Sequence, residues 1–251
     1  MKCKKGKHAQ NNFKKEKTVW LLIVIVLVML FFYEYIFFSG KISFIDKVAS
    51  NILVDGDNEE IKKVKYLKEK NEEVVGWLKI PNTKIDYPIL QTKDNEYYLT
   101  HNYKREKAKH GSIFLNYKSV LSDNDSNLII YGHNMGDGQM FNTLLEYENQ
   151  NYYNEHKTIN LFTENQEHIY TIVSVFKSRI FYQDEENVFR YYNYTYFDNK
   201  EIYEEFIENC KEIQLYETNI QPKYGEQLIT LITCEYSQEN GRMVIIAKKE
   251  K

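Results

Sequence analysis

The chain has 251 residues, enough for one sizeable domain with an appendage but short for two full domains. Its 43% hydrophobic and 15% aromatic content, with only three prolines and ten glycines, excludes a disordered chain or a low-complexity linker. The net charge is −3 and residues 1–18 contribute +6 (seven Lys against one Glu), so the remainder carries −9, a charge that disfavours nucleic acid as a partner.

A basic tail followed by a long apolar run opens the chain. Residues 19–38 are apolar apart from Glu34, and about 20 such residues span a bilayer as a helix. A lysine-rich flank stays in the cytoplasm, so we expect a cytoplasmic tail (1–18), a single-pass transmembrane anchor (19–38) and an extracellular remainder. A cleaved signal peptide is the alternative, but its apolar region is normally about 7 to 15 residues and ends at a small-x-small site. The bulky ending YIFFSG favours an uncleaved anchor in the cell membrane.

Residues 39–70 are interpreted as a juxtamembrane linker and helix. Apolar residues recur there at helical intervals, and Asp57 or Asn58 is available as the cap. The apolar residues of this pattern are Ile61, Val64, Leu67 and, just beyond this range, Val74.

Beyond Gly76 the sequence changes to short runs rich in Ile, Val, Thr and aromatic residues, bounded by Asn, Asp, Gly or Pro. These are strand signals, and their number and spacing predict a closed barrel or a sandwich over residues 71–251. The runs are GWLKIPNTKIDYPIL, GSIFLNY, NLIIYGHN, TINLFT, IYTIVSVFKS, QLITLITC and RMVIIAKK.

Two helical segments interrupt the predicted strands. One is MFNTLLEYENQNYYNEH, after a glycine-bearing turn, and the other is FDNKEIYEEFIENCKEI. In the second, Ile202, Phe206, Cys210 and Ile213 share one helical face. Cys210 is therefore predicted to be a small buried hydrophobe and not a reactive thiol.

The last two runs are predicted to form a hairpin that brings a thiol to a guanidinium. They are joined by EYSQENG, whose Asn-Gly pair favours the positive dihedrals of a hairpin turn. Cys234 ends the first strand and Arg242 begins the second, so both lie at one end of the sheet. Side chains alternate with period two, which puts Thr230, Ile232 and Cys234 on one face.

A nucleophilic cysteine needs a proton partner, usually histidine, while Arg242 stays protonated and can only stabilise negative charge. Among the six histidines, His133 stands out because it ends the strand NLIIYGHN and enters a glycine-bearing loop. His8 lies on the cytoplasmic side of the predicted anchor, and the other four lie in polar, charged segments. From these residues alone, a purely structural role for His133 is an equal alternative.

Metal binding is the competing use of cysteine and histidine. The chain contains no CxxC, HxxxH or HExxH motif, which disfavours zinc. Residues 122–127, SDNDSN, lack the glycine and terminal glutamate of a calcium loop, so a polar turn is the simpler interpretation. We expect neither a metal nor a cofactor.

These residues resemble a known family. TLITC followed eight positions later by Arg, with YGHNM upstream, is similar to the sortases, the membrane-anchored cysteine transpeptidases of Gram-positive cell surfaces. VVGWLKIPNTKIDYPILQ, DNEYYL and GSIFLNY match in the same order, so the resemblance runs from about Asn71 to the C-terminus. Three further features resemble class B. They are the long, helix-containing interval between His133 and Cys234, the N-terminal helix, and the CEYSxxNGR form.

The resemblance implies a mainly β fold, an eight-stranded sortase-type barrel with an N-terminal helix and peripheral helices, and a groove holding His133, Cys234 and Arg242. The implied reaction cleaves a sorting signal of the NPxTx or xPxTG kind after Thr. Cys234 attacks the Thr carbonyl, His133 protonates the leaving amine and Arg242 steadies the intermediate. An amine of a peptidoglycan precursor or cross-bridge then resolves the thioacyl enzyme, which joins a surface protein to the wall.

The resemblance also suggests which residues line or support the groove: Asn95, Leu99, Tyr131 and Glu235. Ile232 is also among the predicted substrate-binding residues. It departs from the family pattern, because many class B enzymes carry Ser two residues before the cysteine, and any role of that hydroxyl is absent here. Two alternatives remain: an extracellular cysteine protease that is mainly hydrolytic, and a barrel that binds wall material without catalysis.

Overall fold

A computed structural model describes residues 58–121 and 127–250. Within them, eight strands close into a barrel in the order β1-β2-β3-β4-β7-β8-β6-β5, so the chain is mainly β and the barrel prediction is confirmed over the sandwich. The strands are β1 (Val74–Lys79), β2 (Asp86–Leu90), β3 (Ile113–Leu115), β4 (Asn127–Tyr131), β5 (Thr158–Phe162), β6 (Glu167–Arg179), β7 (Leu228–Cys234) and β8 (Gly241–Lys249). The α-helices are α1 (Glu59–Lys70), α2 (Gln150–Glu155) and α3 (Lys200–Glu212).

The parallel pairing of β4 with β7 determines where the functional residues meet. Tyr131 pairs with Ile232 in this ladder, while β7 and β8 pair antiparallel. Parallel strands end at the same edge of a sheet, so the chain leaving β4 and the chain leaving β7 emerge side by side. The start of β8 returns to the same edge.

The barrel wall formed by β7 is buried on both faces. Ile229 and Leu231 point into the barrel, whereas Leu228 and Ile232 belong to a second apolar cluster on its outer face. The run LITLIT is apolar or threonine throughout because neither face meets water. Helix α3 covers the outer cluster with Phe206.

Helix α3 differs in detail from its predicted face. Its buried residues are Tyr203, Phe206 and Cys210. Ile213 was predicted to share this face, but it follows the helix as its C-cap and is 40% exposed. The burial of Cys210 is confirmed, and burial raises the pKa of its thiol well above its ordinary value, which makes it a poor nucleophile.

Helix α1 begins where the sequence predicted, with Asn58 as its cap. The Asn58 side chain accepts a hydrogen bond from the Glu60 backbone N–H at 3.0 Å. The helix ends at Lys70, and Val74 lies in β1, so the inclusion of Val74 in the helical pattern was wrong. Ile61 packs with Phe162 of β5, which attaches the helix to the barrel.

The first helical segment after the His133 loop is split. Asn142–Glu148 forms a 3-10 helix and α2 follows, with Asn149 between them. The Asn149 side chain accepts from the Asn151 backbone N–H at 2.9 Å. This capping contact explains why the segment predicted as one helix is divided, with α2 beginning after Asn149.

An ion pair between Glu60 of α1 and Lys79 of β1 is expected to make stability pH-dependent. The hydrogen bond from Lys79 lowers the pKa of Glu60. A lowered carboxyl pKa stabilises the fold above the unfolded value of about 4.3, and that contribution is lost as pH falls through the folded value. For Glu60→Gln, we expect a loss of about 0.5 to 1 kcal/mol in the free energy of unfolding at pH 7.

Urea unfolding between pH 3 and 7 measures this effect. The loss should shrink towards acid pH, and Glu59→Gln, at an exposed neighbouring position of the same helix, is the matched control. An equal loss at pH 3 and pH 7 would contradict the ion-pair explanation.

The predicted cytoplasmic tail, transmembrane anchor and linker of residues 1–57 lie outside the described residues. Residues 58–121 and 127–250 contain no helix that is both long enough and apolar enough to cross a bilayer.

Candidate active site

The chain leaving β4 carries His133 to the end of β7. The Gly132 backbone N–H donates to the Ile232 carbonyl at 3.2 Å, and the Thr233 hydroxyl donates to the Gly132 carbonyl at 2.8 Å. His133 therefore follows a residue, Gly132, that is hydrogen-bonded to both of the residues that precede Cys234. The chain that carries the predicted histidine and the strand end that carries the predicted nucleophile therefore lie side by side at one edge of the sheet.

Cys234 and Arg242 are direct partners across the β7–β8 ladder, as the hairpin argument predicted. They lie on the outer face of the barrel, because they continue the alternation of Ile232 and Val244 in the outer apolar cluster. Cys234 is half-buried at the strand end. The thiol and the guanidinium thus share one face and one edge of the sheet.

The Asn-Gly pair makes the hairpin in a different way from the one predicted. Asn240 takes the left-handed conformation, with φ 54°, and Gly241 is not among the described glycines with positive φ. A Cβ on Gly241 would lie 2.4 Å from the Glu235 carbonyl oxygen. Glycine is required here for close approach of two backbone segments, while asparagine supplies the unusual dihedral.

Backbone carbonyls hold one part of the Arg242 guanidinium. Its Nη1 donates to the carbonyls of Asn240 at 3.1 Å and Gly241 at 2.8 Å. Among the residues of the described ranges, no side chain or carbonyl accepts from its Nε or Nη2. The fork is anchored on one arm and has donors left for a ligand.

The His133 imidazole is oriented by a carbonyl from the loop after β2. Its Nε2 lies 2.7 Å from the Leu99 carbonyl oxygen. A carbonyl can only accept, so Nε2 carries a proton and Nδ1 is the ring nitrogen that this contact leaves free. The His133 backbone carbonyl accepts from the Phe141 N–H at 2.9 Å, which closes the loop that follows.

Two tyrosines lie in the electrostatic field of Arg242. Burial raises the pKa of Tyr131, while a hydrogen bond from Asn116 and the charge of Arg242 oppose the rise. Burial likewise raises the pKa of Tyr191, and the charge of Arg242 opposes it. Both phenols are therefore neutral at physiological pH.

Tyr191 is a residue that the sequence analysis missed. It is fully buried, and its hydroxyl has no hydrogen-bond partner among the described residues. It packs edge-on against Phe176 and Tyr192 on the face that carries Cys234. The aromatic segment around it has neither helical nor strand periodicity, so no local pattern indicated that it would be buried beside the site.

The predicted groove residues on the β2–β4 side have varied surroundings. The Asn95 side chain accepts from the Tyr117 backbone N–H at 3.0 Å, so it already supports a turn. The Leu99 side chain is 37% exposed, and its carbonyl binds His133. Tyr131 is half-buried. A substrate-binding role for these three residues stays a prediction.

Ile232 on β7 and Glu235, which follows the strand, are the other two predicted groove residues, and both are buried. Ile232 is 1% exposed within the outer apolar cluster. The Glu235 carboxylate accepts from the Ser237 hydroxyl at 2.6 Å and lies 3.7 Å from Lys177 Nζ. Burial raises the pKa of Glu235, but the Ser237 hydrogen bonds and the charge of Lys177 outweigh it and lower the pKa. Glu235 stabilises the hairpin turn, and contact of either residue with substrate stays a prediction.

Gly132 leaves no room for a side chain beside the site. A Cβ there would lie 2.4 Å from Ile113 Cδ1 and 2.7 Å from the Phe141 ring. For Gly132→Ala, we expect a loss of about 1 to 3 kcal/mol in the free energy of unfolding, from overpacking, together with reduced activity because His133 is the next residue. Urea unfolding and peptide cleavage measure the two effects. Gly136→Ala, with nothing within 4 Å of the new Cβ, is the matched control, and equal stability of the two variants would contradict the packing argument.

Residues 78–250 match the family model of the sortase domain. The chain belongs to the sortase family. Its curated relatives place it in class B: a sortase B of Listeria monocytogenes is 38% identical over 204 residues, covering 80% of this chain and 79% of that protein. A sortase B of Staphylococcus aureus is 28% identical over 94% of this chain and 98% of that protein.

Solved sortases share the fold. The Clostridium perfringens sortase B structure matches with a TM-score of 0.67 and 35% identity, over 74% of this chain and 99% of that chain. A Staphylococcus aureus sortase B–substrate complex matches with a TM-score of 0.69 and 29% identity, over 80% and 91% of the two chains. The chain is therefore a sortase B-type cysteine transpeptidase, and its barrel is the sortase barrel.

Proposed function

We propose that this sortase is held in the cell membrane by residues 19–38, with its barrel outside, and transfers surface proteins to the cell wall. It would cleave a C-terminal sorting signal of the NPxTx or xPxTG kind after Thr and pass the protein to a peptidoglycan amine. The observation that supports this most directly is the meeting of Cys234, Arg242 and the His133 loop at one edge of the barrel.

The first half-reaction forms a thioester and releases an amine. The Cys234 thiolate attacks the Thr carbonyl carbon, and the tetrahedral intermediate collapses with cleavage of the C–N bond. In the doubly protonated His133 ring, Nε2–H remains on the Leu99 carbonyl, and Nδ1–H gives its proton to the leaving nitrogen. The products are a Cys234 thioacyl enzyme and the C-terminal fragment of the signal.

The second half-reaction returns the free enzyme. An amino group of a peptidoglycan precursor or cross-bridge attacks the thioester, His133 takes up its proton, and the C–S bond breaks to regenerate the Cys234 thiolate. Water competes for the same thioester, so slow hydrolysis accompanies transfer. The selectivity for an amine is what separates a transpeptidase from a protease.

Arg242 fits a role in stabilising negative charge. Its Nη1 is held by two carbonyls, which leaves Nε and Nη2 to donate to the oxyanion or to substrate carbonyls. The Tyr131 and Tyr191 phenols stay neutral beside it, so they do not cancel its charge. The anchor would hold this site near substrates emerging from the same membrane and raise their effective concentration.

The barrel, residues 58–251, incubated with sorting peptides tests the proposal. This range is a compact unit of its own, and 74% of this chain matches 99% of the solved Clostridium perfringens chain. We expect a thioester on Cys234 and, with an amine acceptor, a ligated product. Hydrolysis alone at saturating amine would indicate a protease, and binding to wall material without thioester would indicate a non-catalytic barrel. A peptide library scored by thioester formation identifies the preferred signal.

A further inference from the structure

The residue after His133 forms a link to the nucleophile that the mechanism above does not use. The Asn134 side-chain amide Nδ2 donates to the Cys234 backbone carbonyl at 2.9 Å. The Asn142 amide Nδ2 in turn donates to Asn134 Oδ1 at 2.7 Å. Two side-chain amides therefore connect the 3-10 helix after the His133 loop to the end of β7.

This link takes the place of a backbone rung. In the β4–β7 ladder, the Gly132 N–H donates to the Ile232 carbonyl, and the next parallel rung would join the Asn134 N–H to the Cys234 carbonyl. The described β4 ends at Tyr131, and the Asn134 side chain donates to that carbonyl instead. The ladder is thus continued three residues past the end of β4 by a side chain.

Asn142 determines which way the Asn134 amide faces. An asparagine side chain carries a donor and an acceptor of nearly the same shape. Because Asn142 donates to Oδ1, the Nδ2 group must face the Cys234 carbonyl, which can only accept. Without Asn142, Asn134 Oδ1 loses its donor, and the amide is held only by its contact with the Cys234 carbonyl.

We propose that Asn134, oriented by Asn142, is a positioning residue that holds the Cys234 end of β7 in register with His133. The backbone around His133 is then attached to β7 on both sides, through Gly132 before it and through Asn134 after it. This inference rests on the proposed function, since it requires Cys234 and His133 to react together. A displacement of about 1 Å between reacting groups can reduce turnover about 10²-fold.

Steady-state transpeptidation by two variants tests the proposal. Asn134→Ala removes the link. Asn142→Asp changes a residue that does not touch Cys234. The new carboxylate can only accept, so it draws Asn134 Nδ2 away from the Cys234 carbonyl. For both variants, we expect kcat to fall about tenfold or more, with KM for the sorting peptide within about twofold, because positioning affects the reaction and not peptide binding.

Thr230→Val is the matched control. Its hydroxyl donates to Asn127 Oδ1 at 2.8 Å, so the variant loses a buried hydrogen bond of the same β4–β7 pair at the far end of β7. We expect it to lower the thermal midpoint without lowering kcat. An unchanged kcat in folded Asn134→Ala or Asn142→Asp overturns the inference, and so does an equal fall of kcat in Thr230→Val.

The outcomes separate this inference from the proposed function. If wild-type protein forms no thioester, the proposed function fails and takes this inference with it. If wild-type protein transfers normally and the amide variants do so too, only the positioning role is lost. Should Asn134→Ala not fold, Asn142→Asp decides, because it preserves the shape and volume of the side chain.

Discussion

Cys234→Ala is expected to abolish the thioacyl enzyme and to reduce ligation by roughly four orders of magnitude or more, as loss of a nucleophile does in other acyl-transfer enzymes. The remaining described cysteine cannot replace it, because Cys210 is 2% exposed and has a raised thiol pKa. Stability should change little, since Cys234 is only half-buried at the end of β7. Mass spectrometry of the peptide-treated protein detects the adduct, and ligation is measured on the same samples.

Cys210→Ala is the matched control for this result. It removes a thiol from the outer apolar cluster and leaves a small cavity, so we expect a modest loss of stability with ligation retained. A peptide adduct on Cys234→Ala protein would show that another residue is acylated, and loss of the adduct in Cys210→Ala would mean the two thiols had been assigned to the wrong roles.

Arg242→Lys is expected to lower kcat/KM about 10²-fold while the free energy of unfolding changes by less than about 1 kcal/mol. The guanidinium donates to the carbonyls of Asn240 and Gly241 through Nη1 and has further donors for substrate. An ammonium is a point charge that cannot bind both carbonyls and a substrate oxygen with the same planar geometry. Steady-state kinetics and urea unfolding measure the two quantities.

Arg105→Lys makes the same substitution away from the β7–β8 edge. Arg105 lies in the loop between β2 and β3, where it pairs with Glu73 at 3.1 Å, and we expect activity within about twofold of wild type. If Arg242→Lys kept full activity, charge alone would account for the role of Arg242. A comparable fall in both variants would point to a general effect of replacing arginine.

Local patterns predicted the elements of the fold and missed some of their boundaries. A cap at Asp57 or Asn58 and the apolar helical face that carries Cys210 follow from residues a few positions apart, so the sequence was sufficient to predict them, although the strands that bury Cys210 are distant in the chain. The helical spacing that included Val74 and Ile213 was wrong because periodicity does not show where a helix ends. At α1, the Asn71 backbone N–H donates to the Leu67 carbonyl and β1 then begins at Val74.

The pairing of Cys234 with Arg242 was predictable from the chain itself, because one hairpin joins them and its turn residues lie between them. The position of His133 was different. Its loop meets β7 only because β4 pairs parallel with a strand about a hundred residues later, and no local periodicity specifies a partner at that distance. In the sequence analysis, only the resemblance to sortases placed His133 beside Cys234.

The amino-acid sequence by itself indicated most of the strands, a capped first helix, the helical face that carries Cys210, the Cys234–Arg242 hairpin and, through its motifs, membership of class B. Only the tertiary structure decided that the Leu99 carbonyl leaves Nδ1 as the free nitrogen of His133, that Tyr191 is buried beside Arg242, and that Asn134 reaches the Cys234 carbonyl. The physical reason is that these contacts join segments distant in the chain. They form when barrel closure brings strand ends together, and local propensity does not encode which ends will meet.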